Sequence, residues 1–345
     1  MVLAFFSILQ DWESTYQVFL YQDDETLITP VWNIHFLSSL LFAGLFGFIT
    51  KLNFDLYDPE KGTFLRLFNT FWIPAIFLFS LYYGIRLEIE NYWNILYVDS
   101  KIPIEGTYGI SNLKNYDLNS FKVVWVLIYS LFFVSLLSVI NLNRLRHKTL
   151  SYILLVLSCM TILAFLVQGL YELSELRESY LEQSLDDNYN KTMWQIIIRY
   201  LALMVVAATL YLSNLYFTYW PKIKKLKRLF YSFLHLSILW ILSSELIHWL
   251  DIADVKNTYK LGLSILWGLY SFYLIIFGIW KKSKFLRVTA IVLFSITLIK
   301  LFFYDISHLN TISKTIVFVS LGVLLLITSF LYHKYKLKIS DEEDS

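Results

Sequence analysis

A chain of 345 residues that is 57% hydrophobic and only 16% charged, with mean hydropathy +0.56, carries more apolar surface than a soluble domain of that length can hide. Its formal net charge of +2 is too small to argue for nucleic acid, and no glycine-rich phosphate loop or arginine cluster points that way. The single cysteine, Cys159, lies in an apolar run and excludes an intrachain disulfide.

The opening stretch, MVLAFFSILQDWE, has no basic n-region, and its apolar part stops at Asp11 and Glu13. It therefore reads neither as a signal peptide nor as a span, and residues 1–30 read as an exterior N-terminal segment. A hydrocarbon core takes roughly 20 helical residues to cross. Windows of that size mark about nine candidate spans: 31–50, 67–87, 122–140, 149–170, 196–216, 229–249, 259–280, 285–305 and 312–333. Tryptophan and tyrosine gather near their ends, as at Tyr219, Trp220 and Trp249, where amphipathic rings favour the headgroup level.

The loops alternate in charge. RLRHK (144–148), KIKKLKR (222–228), KKSKFLR (281–287) and HKYKLK (333–338) are basic, while 88–121, 171–195 and 250–258 are rich in Asp and Glu. Positive-inside bias places the basic loops and the tail 334–345 in the cytoplasm and the acidic loops outside. By parity the N-terminus falls outside. The expected fold is an all-α polytopic integral membrane protein, with a single transmembrane domain over 31–333 built from consecutive helical hairpins.

A weak repeat runs through it. Inward-going helices open on Asn and Lys (Asn119/Lys122, Asn190/Lys191, Asn257/Lys260, Asn310/Lys314), and outgoing ones close on Glu88, Glu172, Asp251 and Asp305. This reads as one hairpin reused, although positive-inside bias with interfacial anchors gives similar punctuation by itself. Helix 31–50 is left without a first half, so the chain is expected to be a C-terminal piece of something longer.

The polar residues inside apolar runs are the candidate functional groups. In LIKLFFYDIS (298–307), Asp305 marks the exterior boundary and Lys300 lies about 7–8 Å deeper. Positions i and i+5 diverge by roughly 140° around a helix, so Lys300 needs another partner or must snorkel. Glu245, at a similar depth in LHLSILWILSSELIHWLD (234–251), offers an interhelical contact. Glu245 with His248 and Asp305 with His308 form two acid-x-x-His units, of a kind that holds zinc, iron or manganese in helical bundles. The signal is weak, since no further Glu pair stands at that depth, and no metal or other cofactor is expected. Ser244 shares a face with His248, but hydroxyls in membrane helices mostly bond backbone or neighbouring helices. Arg199, a turn into its helix, reads as snorkelling or meeting Glu172.

SSELIHWL, YKLGLSILWGLYSFYLIIFGIWKK, FLRVTAIVLFSITLIKLFFYDISHL and TISKTIVFVSLGVLLLITSFLYHKYK follow one another in the last third. In that order they resemble the C-terminal end of the bacterial predicted-membrane-protein family called domain of unknown function 2339 (DUF2339), over about residues 240–336. The resemblance implies a multi-pass protein of the bacterial cytoplasmic (inner) membrane and longer relatives; it brings no activity and transfers no site residues.

No complete catalytic set appears in any loop, so a scaffold or assembly component of the cell envelope is the first expectation. The alternative is a membrane-embedded enzyme or transporter acting on an envelope lipid or glycan, at an exterior vestibule lined by Glu245, His248, Lys260, Lys300 and Asp305. Expected partners are membrane lipids, other envelope proteins or further helices of a longer parent chain, and no nucleic acid.

Overall fold

The computed structural model describes residues 2–21, 28–55, 68–106, 109–182, 188–220, 226–255 and 259–301, with isolated positions between 303 and 330. The tail 334–345, most of the window 312–333, and Asp305 and His308 lie outside the described residues. The chain forms two units, Met1–Pro221 and Lys222–Ser345.

In the first unit, α1 (Val2–Tyr21) and α2 (Ile34–Asp55) precede a π-helical turn, Phe68–Trp72, that runs into α3 (Ile73–Asp99). Pro74 sits in the first turn of α3, where its missing N–H leaves no hydrogen bond unmade. An antiparallel hairpin, β1 (Ile102–Gly106) with β2 (Gly109–Leu113), pairs Ile102 with Leu113 and Gly106 with Gly109. Next come α4 (Asp117–Ile140), with a further π-helical turn to Leu145, and one continuous helix over Lys148–Glu182. That helix divides at another π-turn into α5 (Lys148–Ala164) and α6 (Leu170–Glu182), and α7 (Trp194–Tyr219) closes the unit. The second unit contains α8 (Lys227–Ile252), α9 (Tyr259–Trp280) and α10 (Lys284–Lys300).

Among the described residues, seven helices are long and apolar enough to cross a bilayer, and each overlaps one of the candidate windows. Their packing is that of helices in lipid. Between them lie small polar residues, with Ser39, Ser80, Ser130, Ser135, Ser138, Ser151 and Ser213 all buried. Ser80, Ser130, Ser138, Thr209 and Ser213 donate back to the carbonyl four residues earlier, which satisfies the hydroxyl without water. Ser135 also bonds Thr209 at 2.8 Å, joining α4 to α7, and Tyr82 bonds Ser130 at 2.8 Å, joining α3 to α4. A Cβ on Gly84 would stand 2.6 Å from Ser39 Oγ, so glycine lets α3 approach α2. Large apolar residues meanwhile point outward, among them Leu45, Phe48, Phe132, Met160 and Met204. Small residues at the interfaces and oily ones on the surface invert the soluble pattern.

The segment 1–30, read as exterior from the sequence, is for the most part the helix α1. Phe5 packs with Phe46, Ile73 and Ile76, while Trp12 and Tyr16 pack with Leu87. Trp12 donates to Ser38 Oγ at 3.4 Å, and Tyr16 bonds Asn33. Moving from residue 5 to 16 therefore descends α2 and ascends α3, so α1 runs antiparallel to α2. At 1.5 Å per residue its 20 residues reach about 30 Å, the thickness of a hydrocarbon core. α1 packs beside the helix that begins at Ile34 but is not among the seven helices apolar enough to cross a bilayer. Asp11 and Glu13 hid this helix in the sequence, because charges within the apolar run broke the window.

Other differences concern length. The helices outrun their apolar windows: α3 continues to Asp99 and α6 to Glu182, because one face stays useful after hydropathy falls. Leu87, Glu88, Asn91 and Asn94 are buried on α3, as are Leu173, Leu176 and Arg177 on α6. In the second unit α9 and α10 turn tightly at Lys282, whose φ is 52°. Ser283 then caps α10, its Oγ accepting from Leu286 N at 3.4 Å.

Because α1 is antiparallel to α2, residue 2 lies at the same end of this unit as the 144–148 turn and opposite the β-hairpin. Two-sided thiol labelling in a Cys159→Ala background should modify Val2→Cys and Arg146→Cys from one face and Asn112→Cys from the other. Val2→Cys grouping with Asn112→Cys would overturn the packing of α1.

Candidate functional site

Between α1, α3 and α4 lies a cavity of about 230 Å³. Helical spacing on α3 builds most of its wall: Tyr83, Arg86, Leu87, Glu90, Asn91 and Asn94 recur at three- and four-residue steps and so share a face. From α1 come Glu13 and Tyr16, one turn apart, and from α4 comes Lys122.

Charges in this wall are arranged in opposite-sign neighbours. Arg86 Nη2 bonds Glu90 Oε1 at 2.7 Å, an i, i+4 pair held by the helix itself. Lys122 Nζ donates to Asn94 Oδ1 at 3.0 Å and stands in the field of the Glu90 and Glu172 carboxylates. Glu13 faces the Tyr83 phenol. Asn91 is only 1% exposed. Its Nδ2 donates to Ile28 O at 3.0 Å, whereas its Oδ1 is buried without a hydrogen-bond partner. A buried amide oxygen left in that state costs about 1–3 kcal/mol, so it calls for a donor.

Beside the cavity, Glu88 anchors the chain entering α2. Its carboxylate, in a residue 6% exposed, accepts from the Tyr16 hydroxyl, from Asn33 Nδ2 at 2.8 Å and from Val31 N at 2.7 Å. Val31 adopts φ 67°, a left-handed backbone that a β-branched residue rarely takes. Trp32 N closes the turn onto Pro30 O at 2.8 Å, and the carboxylate bond to Val31 N holds it. Tyr16 thus touches both the cavity and this anchor.

The same end of the unit is tied together above the cavity. Asp117 accepts from Ser179 Oγ at 3.0 Å and Gln195 Nε2 at 3.5 Å. Tyr189 donates its hydroxyl to Ser100 O at 2.5 Å and approaches Leu113 O at 3.1 Å, clamping the strand hairpin to the loop before α7. Trp93 stacks on Phe121 with ring centres 5.4 Å apart, fixing α3 against α4 where Lys122 enters.

The residues singled out in the sequence sit in the second unit. Lys300 Nζ donates to Ser264 Oγ at 2.8 Å and to the Lys260 carbonyl at 3.2 Å. The structure thus brings Lys300 to the start of α9, where these two oxygens accept from its ammonium. Lys260 itself is exposed, Glu245 is half-buried, and His248 is 1% exposed, its ring edge-on to Trp249 at 5.9 Å. Ser243 accepts from Trp267 Nε1 at 2.9 Å and donates to Leu239 O at 2.7 Å, a helix-linking hydroxyl. Arg199 is likewise buried, at 1% exposure, and does not extend to a surface. Among the described residues no three of His, Cys, Asp and Glu gather as a metal site.

The cavity residues were missed in the sequence, although Tyr83, Arg86, Glu90 and Asn94 stand at helical spacing in plain view. The span boundary at residue 87 divides them, with Tyr83 and Arg86 in the candidate span 67–87 and Glu90 and Asn94 in the acidic loop 88–121, so the stripe is cut in two.

A family model for predicted membrane proteins, DUF2339, matches residues 11–335. The chain belongs to the DUF2339 family. The match extends far beyond the 240–336 region that resembles the family by eye, and takes in every cavity residue from Glu13 to Lys122. No curated protein and no solved structure matches this DUF2339 chain. Family and apolar helices together identify a multi-pass membrane protein.

Removing the anchor tests its energetic weight. Glu88→Ala removes the shared acceptor of the Tyr16 hydroxyl, Asn33 Nδ2 and Val31 N and should destabilise the detergent-purified protein by about 1–3 kcal/mol, read as a lowered thermal unfolding midpoint. Glu88→Gln, whose amide oxygen still accepts, should lose less. An unchanged midpoint in Glu88→Ala would show that the carboxylate does not hold the turn.

Proposed function

We propose that this DUF2339 protein resides in the bacterial cytoplasmic membrane and handles a polar envelope component, a lipid head group or glycan, in the cavity between α1, α3 and α4. The cavity carries this reading. Ionisable groups along membrane helices are costly and stand by default at functional sites, and a concave pocket with convergent polar groups is where a small ligand binds. A scaffold needs packed interfaces; it gains nothing from a polar hollow beside them.

Orientation follows from charge. The basic turn 144–148 lies at the end of the unit away from the cavity, and the acidic stretches 88–121 and 171–195 lie at the cavity end. Positive-inside bias then opens the cavity to the exterior. The family resemblance supports the bacterial inner membrane. No serine or cysteine lines the cavity, so acyl-enzyme chemistry is not what its wall supports; binding, with passage or acid–base chemistry by Glu13 and Glu90, is. The second-unit group of Glu245, His248, Lys260 and Lys300 is a separate polar region, and the reading does not rest on it.

Native mass spectrometry of the full chain released from native-lipid nanodiscs tests the proposal. The unaltered protein should retain a lipid or glycan adduct that Glu90→Gln and Lys122→Met lose while keeping their unfolding midpoints. Equal retention by all three proteins would favour the scaffold reading.

A further inference from the structure

Resting on that reading, we infer that the cavity takes an uncharged, hydroxyl-rich group the size of a single sugar ring. The charges in the wall come as opposed neighbours, Arg86 with Glu90 and Lys122 near Glu90, with Glu13 close by. An anion entering this space would meet two carboxylates, and a cation would meet an ammonium and a guanidinium. Either would have to break an existing pair after losing its own water, which is costly in a confined site. A neutral polyol meets neither penalty.

Hydrogen-bond capacity points the same way. Asn91 Oδ1 is buried and without a partner, and the amide cannot usefully turn over, because its Nδ2 is committed to the Ile28 carbonyl, which requires a donor. The open position therefore wants a donor. Lys122 keeps donors beyond the one given to Asn94 and wants acceptors. A hydroxyl is both: one ring hydroxyl can accept from the ammonium, and a neighbouring one can donate to the asparagine oxygen once the wall shifts to expose it, since that oxygen is enclosed in this structure. Tyr16 and Tyr83 add aromatic surface to the same wall, against which the apolar face of a sugar can rest. The volume of about 230 Å³ suits one ring and not a chain of them.

The test uses the full chain in nanodiscs. Three soluble probes, glucose, inorganic phosphate and ethanolamine, are titrated by calorimetry and by thermal shift. A lipid arm compares discs containing a monoglucosyl diacylglycerol with discs of phosphatidylglycerol alone. Saturable stabilisation by glucose, or by the glucolipid alone, supports the inference, the second outcome assigning the sugar to a lipid. Asn91→Leu should weaken that response roughly tenfold, the worth of one hydrogen bond in a closed site. Lys122→Gln, which still donates to a hydroxyl, should weaken it less than threefold, and it provides a second reading if Asn91→Leu does not fold. Saturation by phosphate or ethanolamine in place of glucose, or a glucose response indifferent to both variants, overturns the ligand class or its site. An adduct in the native spectrum with no response to either sugar arm overturns the ligand class and leaves the proposed function standing. The absence of both adduct and response removes both.

Discussion

Hydrocarbon offers no hydrogen bonds, so every polar group carried into it must find a partner in the protein. That constraint orders both units of this DUF2339 protein. Backbone groups are satisfied by helix formation, and serine and threonine hydroxyls turn back onto their own helices. The side chains that remain, amide, phenol, carboxylate and ammonium, must meet one another across helices. Unit 1 gathers many of these at one end, where α1, α2, α3 and α4 approach. Glu88 with its three donors is one complete solution. Asn91, with its amide hydrogen placed and its oxygen unplaced, is an incomplete one, in a residue that lines the cavity.

Close packing is what makes such meetings exact. Gly84 lets α3 close on Ser39 of α2, and this brings Glu88, one turn further along α3, level with Val31 and Asn33 at the start of α2. A bulkier residue at position 84 would hold the helices apart and put the carboxylate beyond hydrogen-bond reach. Small residues without chemistry of their own thus place those that have it. The left-handed backbone at Val31 belongs to the same arrangement, its N–H donating to that carboxylate.

The fold was largely legible because hydropathy reports directly on the bilayer. Windows such as 259–280 match α9 residue for residue. What hydropathy obscured was any helix whose charges serve a purpose: α1 was lost to Asp11 and Glu13, and Glu13 is a cavity residue. The site was less legible for a related reason. Charge matching along the sequence seeks an acid for each base, so Lys300 pointed to Glu245; it could not reveal that the ammonium also reaches a serine hydroxyl and a backbone carbonyl, neutral oxygens that leave no charge signature. On α3 the stripe Tyr83, Arg86, Glu90, Asn94 was visible, yet a stripe gains meaning only once Tyr16 and Lys122 are known to close over it. Their separation in sequence, more than a hundred residues, carries no trace of that closure.

Depth explains why the cavity can exist at all. Along α3, Tyr83 lies about 15 Å from Ile73, Arg86 about 20 Å, Glu90 about 26 Å and Asn94 about 32 Å. The wall therefore grades from a phenol near mid-bilayer to charged and amide groups near the interface, following the fall in desolvation cost toward water. Lys122, about 8 Å into α4 from Asp117, joins at the upper level, beside Asn94. An ammonium is tolerated there and a phenol below, so polarity can descend into the membrane without an isolated charge at its centre. Glu13 faces Tyr83 at the deeper level and Tyr16 stands beside Glu88 at the upper one, so charged and aromatic groups accompany each other through the depth of the wall.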